Sequence, residues 1–244
     1  MKKKVVLVTG ASRGIGKAIA EIFVHKNYHV VLNCKNNITQ MNSNIEIYKK
    51  INPNVLGIQA DVSSYIEVEK MFSEIITHYG QIDVLVNNAG ISDINLFTDL
   101  KAEDFHYIMN TNSISVMNCS HLAVQNMLSK KSGSIINISS IWGTCGASCE
   151  VVYSASKGAV DSFTKALAKE LAPSGIRVNA IACGVINTEM NQHLNPEEKI
   201  SLSEEIPLMR FGEPSEIAEL VLFLAEKKSA YITGQVIKAD GGFL

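Results

Sequence analysis

An α/β fold of three layers, doubly wound about a seven-stranded parallel sheet, is the architecture the sequence predicts, and three observations carry it. Short β-branched runs alternate with longer amphipathic stretches, which is the pattern of repeated strand–helix–strand units. Several of the runs are apolar at consecutive positions, as in strands buried between two helical layers. The first run leads straight into a glycine-rich loop and then a helical stretch. With 244 residues, no internal repeat, no low-complexity tract and no Pro/Gly/Ser-rich linker, residues 1–244 are expected to form one domain.

The expected strands are VVLVT (5–9), HVVLNC (29–34), VLGIQA (55–60), DVLVNN (83–88), SIINIS (134–139), RVNAIA (177–182) and QVIKA (235–239). Helices are expected near 15–27, 38–51, 64–79, 103–129, 152–173 and 214–226. Pro214 sits where a helix begins, with Glu213 and Glu216 near its positive end. Pro173 and Gly175 close the helix before them. The stretch 187–212 is polar, contains Pro196 and Pro207, and interrupts the alternation; it is expected to be a lid over a site.

Composition excludes several functions. Lys+Arg 22 against Asp+Glu 24, with arginine only at 13, 177 and 210, leaves no excess of cations for a phosphate backbone, so no nucleic-acid partner is expected. The MKKK start followed by VVLV resembles a secretory signal, but the apolar run stops at Thr9-Gly10, short of the roughly 7–15 residues such a segment needs. No run approaches the roughly 18 apolar residues of a membrane span, so a cytoplasmic protein without a membrane partner is expected. Cys34, Cys119, Cys145, Cys149 and Cys183 contain no CxxC pair and form neither a disulfide framework nor a zinc site. The six histidines are scattered, and no metal is expected.

The strand at 5–9 runs into Thr9-Gly10-Ala11-Ser12-Arg13-Gly14-Ile15-Gly16 and then a helix. Glycines let backbone approach a pyrophosphate, while the helix N-terminus offers N–H donors and a positive dipole end. In dinucleotide folds a carboxylate at the end of the second strand accepts bonds from the adenosine ribose of NAD. Here that strand ends Leu32-Asn33-Cys34-Lys35, with no acid. Lys35 and Arg13 could both donate charge-assisted bonds to a 2′-phosphate, so the expected cofactor is NADP(H).

Taken together, TGASRGIG (9–16), DV (61–62), NNAG (87–90), Asn112 in NTN, SS (139–140), YSASK (153–157), YITGQ (231–235) and DGG (240–242) resemble the short-chain dehydrogenase/reductase family along the whole chain. The resemblance implies a Rossmann-like fold and a catalytic set of Asn112, Ser140, Tyr153 and Lys157. Tyr153 and Lys157, four apart on a helix, share a face. A nearby ammonium is expected to lower the pKa of the phenol from its usual value of about 10, making Tyr153 the general acid in reduction. Ser140 would bond the substrate carbonyl oxygen, and Asn112 would anchor a water linking Lys157 to solvent. The same resemblance implies that Asp61 and Val62 hold the adenine. Asn88, Ala89 and Gly90 flank the ribose and nicotinamide, Ile186 and Thr188 hold the carboxamide end, and Tyr153 and Lys157 also touch the cofactor. Where the family usually has Pro-Gly this chain has Cys183-Gly184, placing a thiol near the nicotinamide without a catalytic role.

Within the family the pattern, including IPLMRFGEPSEIAELVLFLA (206–225), is most similar to bacterial 3-oxoacyl-[acyl-carrier-protein] reductases. An acidic carrier protein needs a basic docking patch. Lys130 and Lys131 occupy one such position, and Ser174 stands at the second. The segment SSIWGTCGASCEVVYSASK (139–157) also resembles a subgroup that reduces the 5-aminopentanone modification of elongation factor P; there Trp142 and Glu150 would wall the pocket, with Glu150 facing an amine. The long segments 103–129 and 152–173 imply, by the family resemblance, subunit interfaces and a homotetramer.

Overall fold

All seven expected apolar runs are strands: β1 (Val5–Val8), β2 (His29–Cys34), β3 (Val55–Gln59), β4 (Val84–Asn87), β5 (Gly133–Ser140), β6 (Ile176–Cys183) and β7 (Val236–Ala239). In this computed structural model residues 3–192 and 194–244 are described; Met1 and Lys2 of the basic start, and His193 of the 187–212 stretch, lie outside them. Among the described residues the α-helices are α1 (Gly14–His25), α2 (Ile38–Lys49), α3 (Tyr65–Tyr79), α4 (Ala102–Met109), α5 (Ser115–Lys130), α6 (Trp142–Cys145), α7 (Val151–Leu171), α8 (Pro196–Glu204) and α9 (Pro214–Ala225).

The strands pair in parallel in the order β3-β2-β1-β4-β5-β6-β7. The central strands alternate their side chains between two buried faces, which is why consecutive positions are apolar there, while the edge strands β3 and β7 are only partly covered. Val6 and Val8 of β1 enter one core with Ile19 and Phe23 of α1, Met41 of α2 and Val221 of α9. Val5 and Leu7 enter the other with Phe72 and Ile75 of α3, Met127 of α5 and Leu171 of α7. Truncating a wholly buried side chain such as Phe23 to alanine would cost about 3–5 kcal/mol. Among the described residues no helix is long and apolar enough to cross a membrane.

The order reverses between β1 and β4, the point at which an open α/β sheet leaves a crevice beyond the carboxyl ends of its strands. Gly10, Asn88, Ser140 and Cys183 all stand at or just past those ends.

Two expectations require correction. The helix expected over 103–129 is broken into α4 and α5 by a π turn at Asn110–Ile114. One extra residue is accommodated there while the Asn112 amide bonds to Ile91 and Ser156. The stretch 187–212 is less irregular than expected, because it contains α8, begun by an Asn195/Glu198 capping box. Its ends are tied by a parallel bridge between Ile186 and Gly212.

Candidate active site

The glycine-rich loop is shaped by contacts that only glycine permits. A Cβ on Gly16 would lie 2.3 Å from the Gly10 carbonyl oxygen and 2.4 Å from Asn88 Nδ2. Gly10 has φ +63°, and a Cβ there would meet Ala89 Cα at 2.9 Å. The loop is fastened from outside: Asn44 Nδ2 donates to Ser12 O at 2.9 Å, and Ala11 N–H donates to Asn33 O at 2.8 Å. Backbone therefore approaches the groove without side chains intervening, which fits a diphosphate seated at the start of α1.

A cavity of about 480 Å³ runs from this loop to the carboxyl ends of β5 and β6. Every residue expected to touch a dinucleotide lines it. At one end stand Lys35, Asp61 and Val62; at the other are Ser140, Tyr153, Lys157, Ile186 and Thr188; Asn88, Ala89 and Gly90 form the floor between. Asn112 is wholly buried behind Gly90: a Cβ on that glycine would lie 3.3 Å from Asn112 Oδ1 and 3.5 Å from Lys157 Nζ.

Tyr153 and Lys157 occupy successive turns of α7, and Lys157 Nζ lies 5.8 Å from the Tyr153 ring centroid. The Ser140 hydroxyl accepts the Trp142 N–H at 3.2 Å and acts on the Tyr153 phenol, whose pKa it lowers in part. Lys157 is buried and donates to Ile138 O at 2.8 Å. Burial lowers its pKa to about 8, against smaller opposing effects of Cys183 and Asp161. The expected lowering at Tyr153 is overturned. Burial raises the phenol above its ordinary value, the Ser140 bond offsets this only in part, and Glu150 and Cys183 add to the rise. Tyr153 thus holds its proton at neutral pH, the state a proton donor requires.

Several other side chains differ from expectation. Lys130 is not a free docking cation, since its ammonium donates to Ile82 O at 2.5 Å and Asp83 Oδ1 at 2.8 Å. Trp142 does not line the cavity; it packs edge-on against Phe243, with centroids 6.0 Å apart. Glu150 accepts a hydrogen bond from Ser92, a cavity residue that sequence reasoning missed. Cys183 lines the cavity, but burial pushes its thiol up to about 12, with Lys157 pulling only weakly the other way. The two cations expected to meet a 2′-phosphate are each paired: Lys35 Nζ with Asp61 Oδ2 at 2.7 Å, and Arg13 Nε with Glu189 Oε2 at 3.1 Å. Tyr107, whose ring lies 5.6 Å from Lys35 Nζ, and Thr111 also line the cavity and were missed; both belong to the broken helix.

A parallel doubly wound sheet with a glycine cradle at its switch point and a Ser–Tyr–Lys cluster beside it defines a dinucleotide-dependent oxidoreductase. Residues 10–244 match the family model described as enoyl-(acyl carrier protein) reductase. The chain is 41% identical over 239 residues to the 3-oxoacyl-[acyl-carrier-protein] reductase FabG of Staphylococcus epidermidis, covering 98% of each. It is also 41% identical over 244 residues to the uncharacterized oxidoreductase YmfI of Bacillus subtilis, again covering 98% of each. Its fold matches the crystal structure of a gluconate dehydrogenase candidate from Agrobacterium tumefaciens with a TM-score of 0.94 and 31% identity, covering 98% of this chain and 95% of that one. The chain belongs to the short-chain dehydrogenase/reductase family, whose members use a nicotinamide cofactor.

Proposed function

We propose that this protein is an NADPH-dependent 3-oxoacyl-[acyl-carrier-protein] reductase, a single domain acting as a cytoplasmic homotetramer with residues 187–212 as the lid of its site. The observation that carries the chemistry is the convergence of Ser140, Tyr153 and Lys157 at one end of a cavity whose other end is the glycine cradle. When bound, the reduced nicotinamide supplies hydride to the carbonyl carbon. Ser140 holds the carbonyl oxygen and stabilises its developing negative charge. Tyr153 gives that oxygen a proton. Lys157, buried beside Tyr153, favours the phenolate left behind, and Asn112 helps to position the path by which the phenol is reprotonated.

Arg13 and Lys35 in the cavity lining, without an acid at the end of β2, support NADP(H). Lys131 supports docking of an acidic carrier, with Lys130 spent within the fold. The tetramer reading is supported by exposed apolar side chains along α5 and the turn before it, namely Ile114 of the π turn and Met117 and Leu128 of α5. Light scattering on the purified chain tests it.

The deciding experiment compares NADPH and NADH oxidation with acetoacetyl thioesters on carrier protein, simple ketones, and elongation factor P bearing 5-aminopentanone. Tyr153-dependent turnover fastest with NADPH and the carrier thioester is expected. Faster turnover of the amine-bearing substrate would overturn the substrate assignment and point to Glu150 as its recognition group.

A further inference from the structure

The cavity lining carries the two cations expected to meet a 2′-phosphate, and each already has a carboxylate partner. The two pairs are built differently. Lys35 and Asp61 belong to a network: Asp61 Oδ1 accepts from Ser63 N–H at 2.9 Å and Ser63 Oγ at 2.7 Å, and Lys35 lies over Tyr107. That pair is braced from β2, β3 and α4 together.

The Arg13–Glu189 pair joins opposite walls of the groove. Arg13 is the residue just before α1 and makes no capping bond of its own. Glu189 follows Thr188, whose methyl carbon would lie 3.5 Å from a Cβ built on Gly14. Both side chains remain exposed, at 61% and 43%, so the attraction is screened and of the weak surface kind. A phosphate monoester carries more negative charge than a carboxylate and offers three acceptor oxygens to a guanidinium. It is therefore a stronger partner for Arg13 than Glu189 is, but it must displace or share with Glu189.

We propose that Glu189 is a specificity-determining residue that competes with the adenosine 2′-phosphate for Arg13 and so moderates the preference for NADP(H) over NAD(H). The proposal rests on the NADP(H) reading, and its consequence concerns the ratio of the two affinities. NADH has no 2′-phosphate and does not enter the competition. The neutral isostere Glu189→Gln leaves Arg13 free and should raise the NADPH-to-NADH affinity ratio by roughly two- to fivefold, the range of an exposed ion pair.

Isothermal titration calorimetry of the full chain with NADPH and with NADH, without carbonyl substrate, tests this in wild type, Glu189→Gln, Arg13→Ala and the double variant. The expected result is a higher ratio in Glu189→Gln and no effect of that substitution once Arg13 is alanine. An equal gain for both cofactors would mean a general field effect on the shared diphosphate, and would overturn the proposal. A lower ratio would mean that Glu189 orients Arg13 instead of competing for it, and an unchanged ratio that it does neither; both overturn it. If Arg13→Ala itself leaves the ratio unchanged, Arg13 does not read the 2′-phosphate, and that reading fails along with the competition built on it. Because both side chains are exposed, the variants are expected to fold as wild type does, which thermal melts check.

Discussion

Thr9 and Asn88 are joined twice at the switch point of the sheet: Asn88 N–H donates to Thr9 Oγ1 at 2.9 Å, and Asn88 Nδ2 donates to Thr9 O at 2.9 Å. The same hydroxyl oxygen accepts Ala89 N–H at 3.0 Å. One β-branched side chain therefore holds the glycine cradle and the cavity floor in register. Thr9→Val keeps the shape and leaves two N–H groups without their acceptor, at about 1–3 kcal/mol for a buried donor. A stability loss of about 2 kcal/mol is expected in denaturant melts, with Thr9→Ser close to wild type. A Thr9→Val protein as stable as wild type would contradict this account of the junction.

Gly16 lies where any side chain collides with backbone, as a Cβ there would stand 2.3 Å from the Gly10 carbonyl oxygen. Gly16→Ala must push the first turn of α1 away from the loop. Cofactor affinity measured by calorimetry should fall at least tenfold, with a lower melting temperature. Unchanged affinity would show that the cradle tolerates displacement.

Tyr153→Phe removes the proposed proton donor and preserves the ring. Turnover of any ketone substrate should fall by about 10²–10⁴-fold while cofactor binding persists. Ser140→Ala, which removes the side-chain donor proposed for the carbonyl oxygen, should cost about 10²–10³-fold in kcat. Retention of wild-type turnover in either variant would remove that residue from the proposed chemistry.

Lys157 is a buried amine whose pKa falls from 10.5 to about 8 on folding. The unfolded chain binds this proton more tightly, so the penalty is fully present below pH 8 and is relieved as pH rises from 8 to 10.5. Lys157→Met removes a cost of up to about 3 kcal/mol at pH 7 and leaves the Ile138 carbonyl unpaired. A modest gain in stability at pH 7, loss of the rise in stability between pH 8 and 10.5, and loss of reductase activity are expected together. In the wild type kcat/KM for reduction should decline as pH rises through about 8; melts and rate profiles across pH 6–10 measure both effects.

The strands were legible because a sheet covered on both faces demands apolar residues at successive positions, and Val5–Val8 has no other physical reading as open. Helix signals marked α1, α3, α7 and α9 for the same reason of periodicity, and Glu213, Pro214 and Glu216 marked a helix start that the capping box confirms. The π turn around Asn112 was invisible because a single inserted residue shifts the helical period by less than pattern reading resolves. The positions of the cavity residues followed from their motifs, whereas their partners did not. Glu189 is 176 residues from Arg13 in sequence, and Lys130 meets Asp83 only after α5 packs beside β4; pairings of that range belong to the assembled fold.

Trp142 is the chain's single tryptophan, and it sits two residues past Ser140, edge-on to Phe243 at the carboxyl end of the chain. All indole emission of the protein therefore originates from one place, between the carboxyl end of β5 and the last residues of the chain. Reduced nicotinamides absorb at the wavelengths where indole emits, so light absorbed by Trp142 can be passed to a cofactor in the adjacent cavity. The protein carries its own optical gauge of occupancy, one that also registers any movement of the terminal residues resting against it.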